Sequence, residues 1–171
     1  MLMGWVQLDE VPKPYRNVTS VGGLVVRGKE LLVIRMTYGP TRGRYMLPGG
    51  LLDPGETLDQ AVVREVREEA GIEARPLGIV GVRSRVDGLS TDNYVIWLLE
   101  YVSGEPGADG HEADDARFVP FVELLERDDV AALVQYLAGR LARGEISVHS
   151  LVEDYTYQLP GTTPATWKLF M

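Results

Sequence analysis

The chain has 171 residues, 45% of them hydrophobic and 25% charged, with no cysteine and a net charge of −8. Such a length favours one domain that buries roughly two thirds of its unfolded surface, and the lack of cysteine excludes disulfide frameworks, thiol catalysis and Cys-ligated zinc. The acidic balance opposes nonspecific attachment to nucleic acid or an anionic membrane, and apolar runs such as Val95 to Leu99 fall far short of the ~20 residues of a bilayer span.

The opening sequence MLMGWVQLDEVPKPYR has neither a basic flank nor a long apolar run, so no secretory signal is read there and a cytoplasmic location is expected. Residues 1–17 contain the PKP tripeptide and no clean periodicity, which predicts an extended arm. Val18 to Arg27 and Leu31 to Thr37 are β-branched and apolar, and a short Gly28 connection between them predicts a hairpin. Gly39 to Arg44 reads as a loop and Tyr45 to Leu47 as a short strand, ended by Pro48-Gly49-Gly50 and the Pro54-Gly55 turn.

Thr57 to Ala70 carries the clearest helical signal. Thr57 and Gln60 stand in capping-box positions, and Gly71 supplies the stop. Val62, Val63, Val66 and Ala70 form the stripe expected to be buried. Ile72 to Arg85 and Tyr94 to Ser103 are predicted strands, joined by the polar stretch Val86 to Asn93. An acidic, Gly-rich loop from Gly104 to Asp115 leads to a last short strand, Arg117 to Pro120. Phe121 to Glu126 and Asp128 to Arg143 have helical composition, with Gly144 as stop. Few parallel crossover units can be drawn through this order, so the fold class is α/β with a mixed sheet covered by helices.

Glu65, Glu68 and Glu69 occupy i, i+3 and i+4 of the main predicted helix, which puts three like charges on one face. Taken alone such a run reads first as a solvated charged face. A divalent ion would neutralise it better than the adjacent Arg64 and Arg67. Mg2+ suits oxygen ligands and is commonly completed by substrate phosphates.

The surroundings decide between these readings. The segment Gly50 to Ile72 reads GLLDPGETLDQAVVREVREEAGI, and its Gly50, Glu56, Arg64-Glu65, the aliphatic Val66, Glu68-Glu69, Gly71 and Ile72 carry every defining position of the Nudix box. On these residues the chain resembles the Nudix hydrolase family. The resemblance implies a Nudix-type α/β/α sandwich with a mixed β-sheet and a loop-helix-loop catalytic box over about residues 18–145. It also implies Mg2+ (or Mn2+) dependence, and hydrolysis of a nucleoside diphosphate linked to another moiety. Carried over by position, Glu65, Glu68 and Glu69 are implied metal-binding carboxylates, and the backbone carbonyl of Gly49 is implied to assist them. Arg64 is implied to orient the glutamates and Glu56 to support Arg64 near the helix start.

A general base is also required, and its identity stays open. Glu65 and Glu69 are candidates on the helix; Glu112, Asp114 and Asp115 are candidates in the late loop, with Glu112 preferred and counted as a further metal candidate. Arg35, Arg44, Arg83 and Arg85 are candidate phosphate contacts because guanidinium groups bind phosphate bidentately. His111 and His149 lack any ligand spacing and read as surface residues.

The resemblance leaves the substrate open. ADP-ribose or a sugar nucleotide ranks slightly above the alternatives, a nucleoside triphosphate or a module that senses a nucleotide without hydrolysing it. Residues 155–171 hold Tyr155, Tyr157, Trp167 and Phe170, four of the fourteen aromatics in the chain. The tail from residue 146 is therefore expected to pack either on its own domain or on a homodimer partner.

Overall fold

A computed structural model describes residues 16–152, 168, 170 and 171. Residues 1–15 of the predicted N-terminal arm and the aromatic residues Tyr155, Tyr157 and Trp167 lie outside the described residues, whereas Arg16 and Asn17, expected in that arm, already belong to the first strand, where they pair with Ser90 and Thr91. Six strands and three helices follow one another as β1 (Arg16–Arg27), β2 (Glu30–Met36), β3 (Tyr45–Met46), α1 (Leu58–Ala70), β4 (Glu73–Asp87), β5 (Ser90–Ser103), β6 (Ala113–Pro120), α2 (Phe121–Leu124) and α3 (Ala132–Ala142).

The sheet runs β3-β2-β1-β5-β4, with β6 on β2. It is mixed, because β1 and β5 are parallel, from Arg16↔Ser90 to Val26↔Glu100, while the other pairs are antiparallel. Helices cover both faces. Val21, Val25, Ile34, Trp97 and Leu99 pack with Val62 and Val66 of α1. Leu24, Leu31, Val33, Ile96 and Val119 pack with Leu124, Val134 and Leu137 of α2 and α3. Burial on both faces explains the unbroken apolar run Leu31-Leu32-Val33-Ile34, where a half-exposed strand would alternate.

The chain between β3 and α1 extends the sheet along β1. Val21 donates to the Gly50 carbonyl at 2.9 Å and Gly23 to the Pro48 carbonyl at 2.8 Å. Gly23 also lets α1 approach, since a Cβ there would stand 2.7 Å from Cγ2 of Val66. α1 begins and ends where its local chemistry says it should: the Thr57 N–H is accepted by the Gln60 side chain at 3.0 Å, and Gly71 closes the helix at φ 66° with its N–H on Arg67. The buried stripe differs from the expected one by a small rotation. Ala61, Val62, Val66, Glu69 and Ala70 are buried, whereas Val63 is only partly so.

Three other expectations are corrected. Val86 to Asn93 is not a connecting stretch; β4 and β5 continue pairing to Asp87↔Ser90, and Gly88 supplies the positive φ, 60°, of a two-residue turn. The last strand starts at Ala113 instead of Arg117, because Arg35 and Met36 of β2 extend the pairing to Asp115 and Ala113. α3 starts at Ala132 instead of Asp128, since the Asp129 carbonyl and the Ala131 N–H pair with the backbone of Tyr45.

Beyond α3, His149 forms a reciprocal backbone pair with Ile79 on the outer edge of β4, at 2.8 and 2.9 Å. Leu151 bridges to Phe170, whose ring meets Trp97 edge-on at 4.8 Å. Among the described residues, no helix is long and apolar enough to cross a membrane.

Candidate active site

The site lies where the Pro48–Leu51 segment, α1 and the loop before β6 meet. Glu69, on the last turn of α1, is only 3% exposed, and accepts the Gly49 N–H at 2.6 Å. Burial pushes its carboxyl up to about 8; the Gly49 bond lowers it, and the charges of Glu65, Glu112 and Asp109 raise it further. Glu65 is likewise raised, by burial against the opposing hold of Arg64. A Cβ at Gly50 would sit 2.5 Å from Oε1 of Glu65, so any larger residue there displaces that carboxylate.

Arg64 ties the box together. Its guanidinium grips Glu56 with two bonds, 2.7 and 2.9 Å, and donates to Glu65 at 2.9 Å, Glu68 at 3.2 Å and the Leu51 carbonyl at 3.0 Å. Glu56 also accepts the Asp53 N–H at 3.0 Å. Arg64 first and that N–H second lower the Glu56 carboxyl to about 2. Arg64 therefore hydrogen-bonds three carboxylates, with that of Asp53 a further partner at 3.7 Å, and leaves Glu69 without a cation among its described contacts.

The three helix glutamates do not form a preassembled cage. Glu69 lies under Gly49, Glu65 is partly covered and Glu68 turns outward onto Arg64; no three acidic or histidine side chains converge on one point among the described residues. The chemistry of the donors nevertheless fits a hard divalent cation: a buried carboxyl facing other carboxylates with no positive charge of its own is what such an ion would relieve. Pro48 and Gly50 direct their carbonyls to β1, leaving the Gly49 carbonyl outside that pairing.

Glu112 reaches the site from the loop. The Tyr38 hydroxyl donates to it at 2.6 Å, and its charge is felt by both Glu65 and Glu69. The loop is shaped by Asp109, whose carboxylate accepts the N–H groups of His111, Glu112 and Ala113 at 2.9–3.1 Å. Thr37 adds a backbone bond to the Glu112 carbonyl at 2.9 Å. Asp114 and Asp115 are engaged elsewhere, Asp114 with Arg35 at 2.7 Å and Asp115 with the Tyr45 hydroxyl and Arg117.

The candidate substrate arginines are dispersed. Arg35 is the penultimate residue of β2, Arg44 donates to the Asp128 carbonyl at 3.3 Å, and Arg83 pairs with Asp92 at 2.6 Å while covering the Tyr94 ring at 5.3 Å. Arg85 is exposed two positions further along β4. None of the described ion pairs joins these four arginines to the box glutamates. His111 and His149 are both exposed.

Three participants escaped the sequence reading. Tyr38 and Lys168 act through partners that only the tertiary fold supplies. Asp109 was legible, since Asp109-Gly110 is a turn signal whose carboxylate can bond the following N–H groups. The Tyr94 hydroxyl lies so close over Gly22 that a Cβ there would stand 1.7 Å away. Burial, and then the charge of Glu69, raise its pKa well above that of a free tyrosine.

Comparison with known proteins follows the same outline. Residues 16–138 match the family model described as the NUDIX domain. The chain is 33% identical over 107 residues to an ADP-ribose pyrophosphatase of Methanocaldococcus jannaschii, covering 61% of each protein. It is 35% identical over 128 residues to the NAD-capped RNA hydrolase NudC of Stutzerimonas stutzeri, covering 71% of this chain and 45% of that one. The chain thus spans between about half and two thirds of these relatives. Among solved structures, the MutT protein of Methanosarcina mazei superposes with a TM-score of 0.65 at 26% identity, over 78% of this chain and 98% of that one.

Proposed function

The chain belongs to the Nudix family, matched over residues 16–138, and from that premise we propose that it hydrolyses the pyrophosphate of a nucleoside diphosphate linked to another moiety, with Mg2+ and in its place Mn2+ as cofactor. ADP-ribose or a sugar nucleotide is the substrate class we favour. The observation that carries the reading is the buried Glu69 carboxyl under the Gly49 N–H, raised to about 8 by burial and by Glu65, Glu112 and Asp109, and without a cationic partner among the described residues. Two relatives bear names that denote a pyrophosphate with a nucleoside beside it, ADP-ribose and an NAD cap, which supports that substrate class.

Glu65, Glu68 and Glu69, with the Gly49 carbonyl, are the groups that would hold the ion. When bound, it supplies positive charge against pyrophosphate oxygens whose own charge repels a nucleophile. Arg64 orients Glu65 and Glu68, while Glu56 fixes the guanidinium from behind. Glu112, held by Tyr38, offers an oxygen outside α1 to accept the proton of the attacking water. Arg35, Arg44, Arg83 and Arg85 are the candidate grips for substrate phosphates, each exchanging its present partner for them.

The test is product release from a panel of ADP-ribose, sugar nucleotides, dinucleotides and nucleoside triphosphates, with Mg2+ and with chelator. Metal-dependent turnover is expected, reduced in Glu69→Gln by more than the roughly 10- to 100-fold typical of residues that only orient a ligand. Chelator-insensitive turnover, or none on any substrate, would refute the proposal.

A further inference from the structure

The described end of the chain reaches back to the catalytic box. The Lys168 ammonium pairs with the Asp59 carboxylate in the first turn of α1, 109 residues away, with both side chains less than a quarter exposed. Asp59 also accepts the hydroxyl of Thr57, the residue that starts the helix, at 2.7 Å. Burial would raise the Asp59 carboxyl, but Lys168 and Thr57 outweigh it and leave it low. Phe170, two residues on, plugs against Trp97. Its backbone is fixed by the bridge to Leu151, and that of Met171 by a bond to the Ser150 carbonyl at 3.0 Å. Lys168 and Phe170 line one groove with Leu52, Glu56, Thr57 and Leu58.

That groove is the underside of the turn that carries Glu56. From it the contacts run to Arg64, and from Arg64 to Glu65 and Glu68. We propose that Lys168 and Phe170 are positioning residues for the metal-binding carboxylates, acting as a strap that holds residues 52–59 against α1. The inference rests on the reading of these glutamates as a metal site and adds a part of the chain that lies outside the box and outside the matched region. The strap fixes the loop at two points, with an ion pair at the helix start and an aromatic plug below it. Releasing either point frees the backbone around Glu56, and Arg64 then loses the carboxylate that grips it with two bonds.

The experiment compares Lys168→Ala, Phe170→Ala, Lys168→Arg and Asp59→Asn in the full-length chain. It reads hydrogen exchange of the peptide spanning residues 51–60 and Mn2+ binding by electron paramagnetic resonance. Exchange in that peptide should quicken by about tenfold in Lys168→Ala and Phe170→Ala, with the β2 peptide unchanged. Mn2+ should bind roughly tenfold more weakly. Lys168→Arg should restore both, and Lys168→Ala combined with Asp59→Asn should be no worse than either alone. Unchanged exchange at 51–60 would overturn the proposal, as would faster exchange with unchanged Mn2+ binding, which reduces the strap to a stability element. Absence of Mn2+ binding by the unaltered protein would instead defeat the reading of the site itself, a result distinct from binding that the variants leave intact. Lys168→Ala removes only a partly exposed side chain, so the comparison survives if Phe170→Ala fails to fold.

Discussion

Glu69 accepts the backbone N–H of Gly49 at 2.6 Å, a bond that favours the carboxylate and is outweighed by burial and neighbouring charge, which leave the carboxyl raised to about 8. The two residues lie on different elements, so this bond joins the Pro48–Leu51 segment to α1. It also sets how the metal-free protein responds to pH. An acid whose folded pKa lies above its unfolded value of 4.5 binds a proton in the folded state that the unfolded chain has lost. The contribution of Glu69 to stability is then complete below about 4.5 and declines as the pH rises towards 8. In chelator, thermal melting between pH 5 and 8 should show that decline, with Glu69→Gln flattening it and raising the pH 8 midpoint by roughly 5 °C. Mn2+ or Mg2+ should reverse it in the unaltered protein only, because binding requires the ionised carboxylate.

Glu56 shifts in the opposite direction. With its carboxyl lowered to about 2 by Arg64 and the Asp53 N–H, its contribution is complete above about 4.5 and is lost as the pH falls through 2. Glu56→Gln should thus remove part of the acid-limb sensitivity of the melting curve. It should also raise the Mg2+ concentration for half-maximal turnover by about tenfold while leaving kcat at saturating metal nearly unchanged, as expected of a group that orients ligands through Arg64. Equal loss of kcat at all metal concentrations would instead place Glu56 among the reacting groups.

Gly22 and Tyr94 form a complementary pair, with no room for a Cβ under the hydroxyl. Gly22→Ala must expel the ring, and Arg83 with it, from the face below Gly49. A loss of about 2–4 kcal/mol in unfolding free energy is expected, in the range of severe overpacking. The double variant with Tyr94→Ala should recover much of that loss, because the clash disappears with the ring. Strict additivity of the two single effects, measured by urea unfolding, would show that the contact is not what constrains position 22.

How far the sequence carried these conclusions depended on the range of the signal. The start and stop of α1 were legible because Thr57, Gln60 and Gly71 act within one helical turn. The placement of Glu65, Glu68 and Glu69 on that helix followed from the same local spacing. Their unequal fates did not: Glu69 is buried because Gly49 is brought over it by pairing of Pro48 and Gly50 with β1. The β4–β5 turn was misread because the polar residues between Val86 and Asn93 resemble a loop, whereas cross-strand pairing to Asp87↔Ser90 and bonds such as Ser84 to Asn93 at 2.7 Å satisfy them within a hairpin. The parallel β1–β5 pairing and the Lys168–Asp59 contact join residues far apart in the chain, and no local pattern encodes them.

Glu112 gives the sharpest test of the loop. Its carboxylate is tied to Tyr38 at 2.6 Å and lies within the field of Glu65 and Glu69, while Asp109 fixes the backbone that presents it. The same bond, with burial second, raises the Tyr38 hydroxyl to about 12, so it remains a neutral donor at working pH. If Glu112 takes the proton of the attacking water, Glu112→Gln should lower kcat by roughly 10²–10⁴-fold with little change in KM. Tyr38→Phe keeps the carboxylate and removes only its tether, so its loss should be several-fold at most. Asp109→Asn weakens acceptance of three N–H groups and should fall between the two, since it disturbs the position of Glu112 without removing the oxygen. A Glu112→Gln enzyme with unaltered kcat would return the role to Glu65 or Glu69, and Tyr38→Phe would then be silent as well.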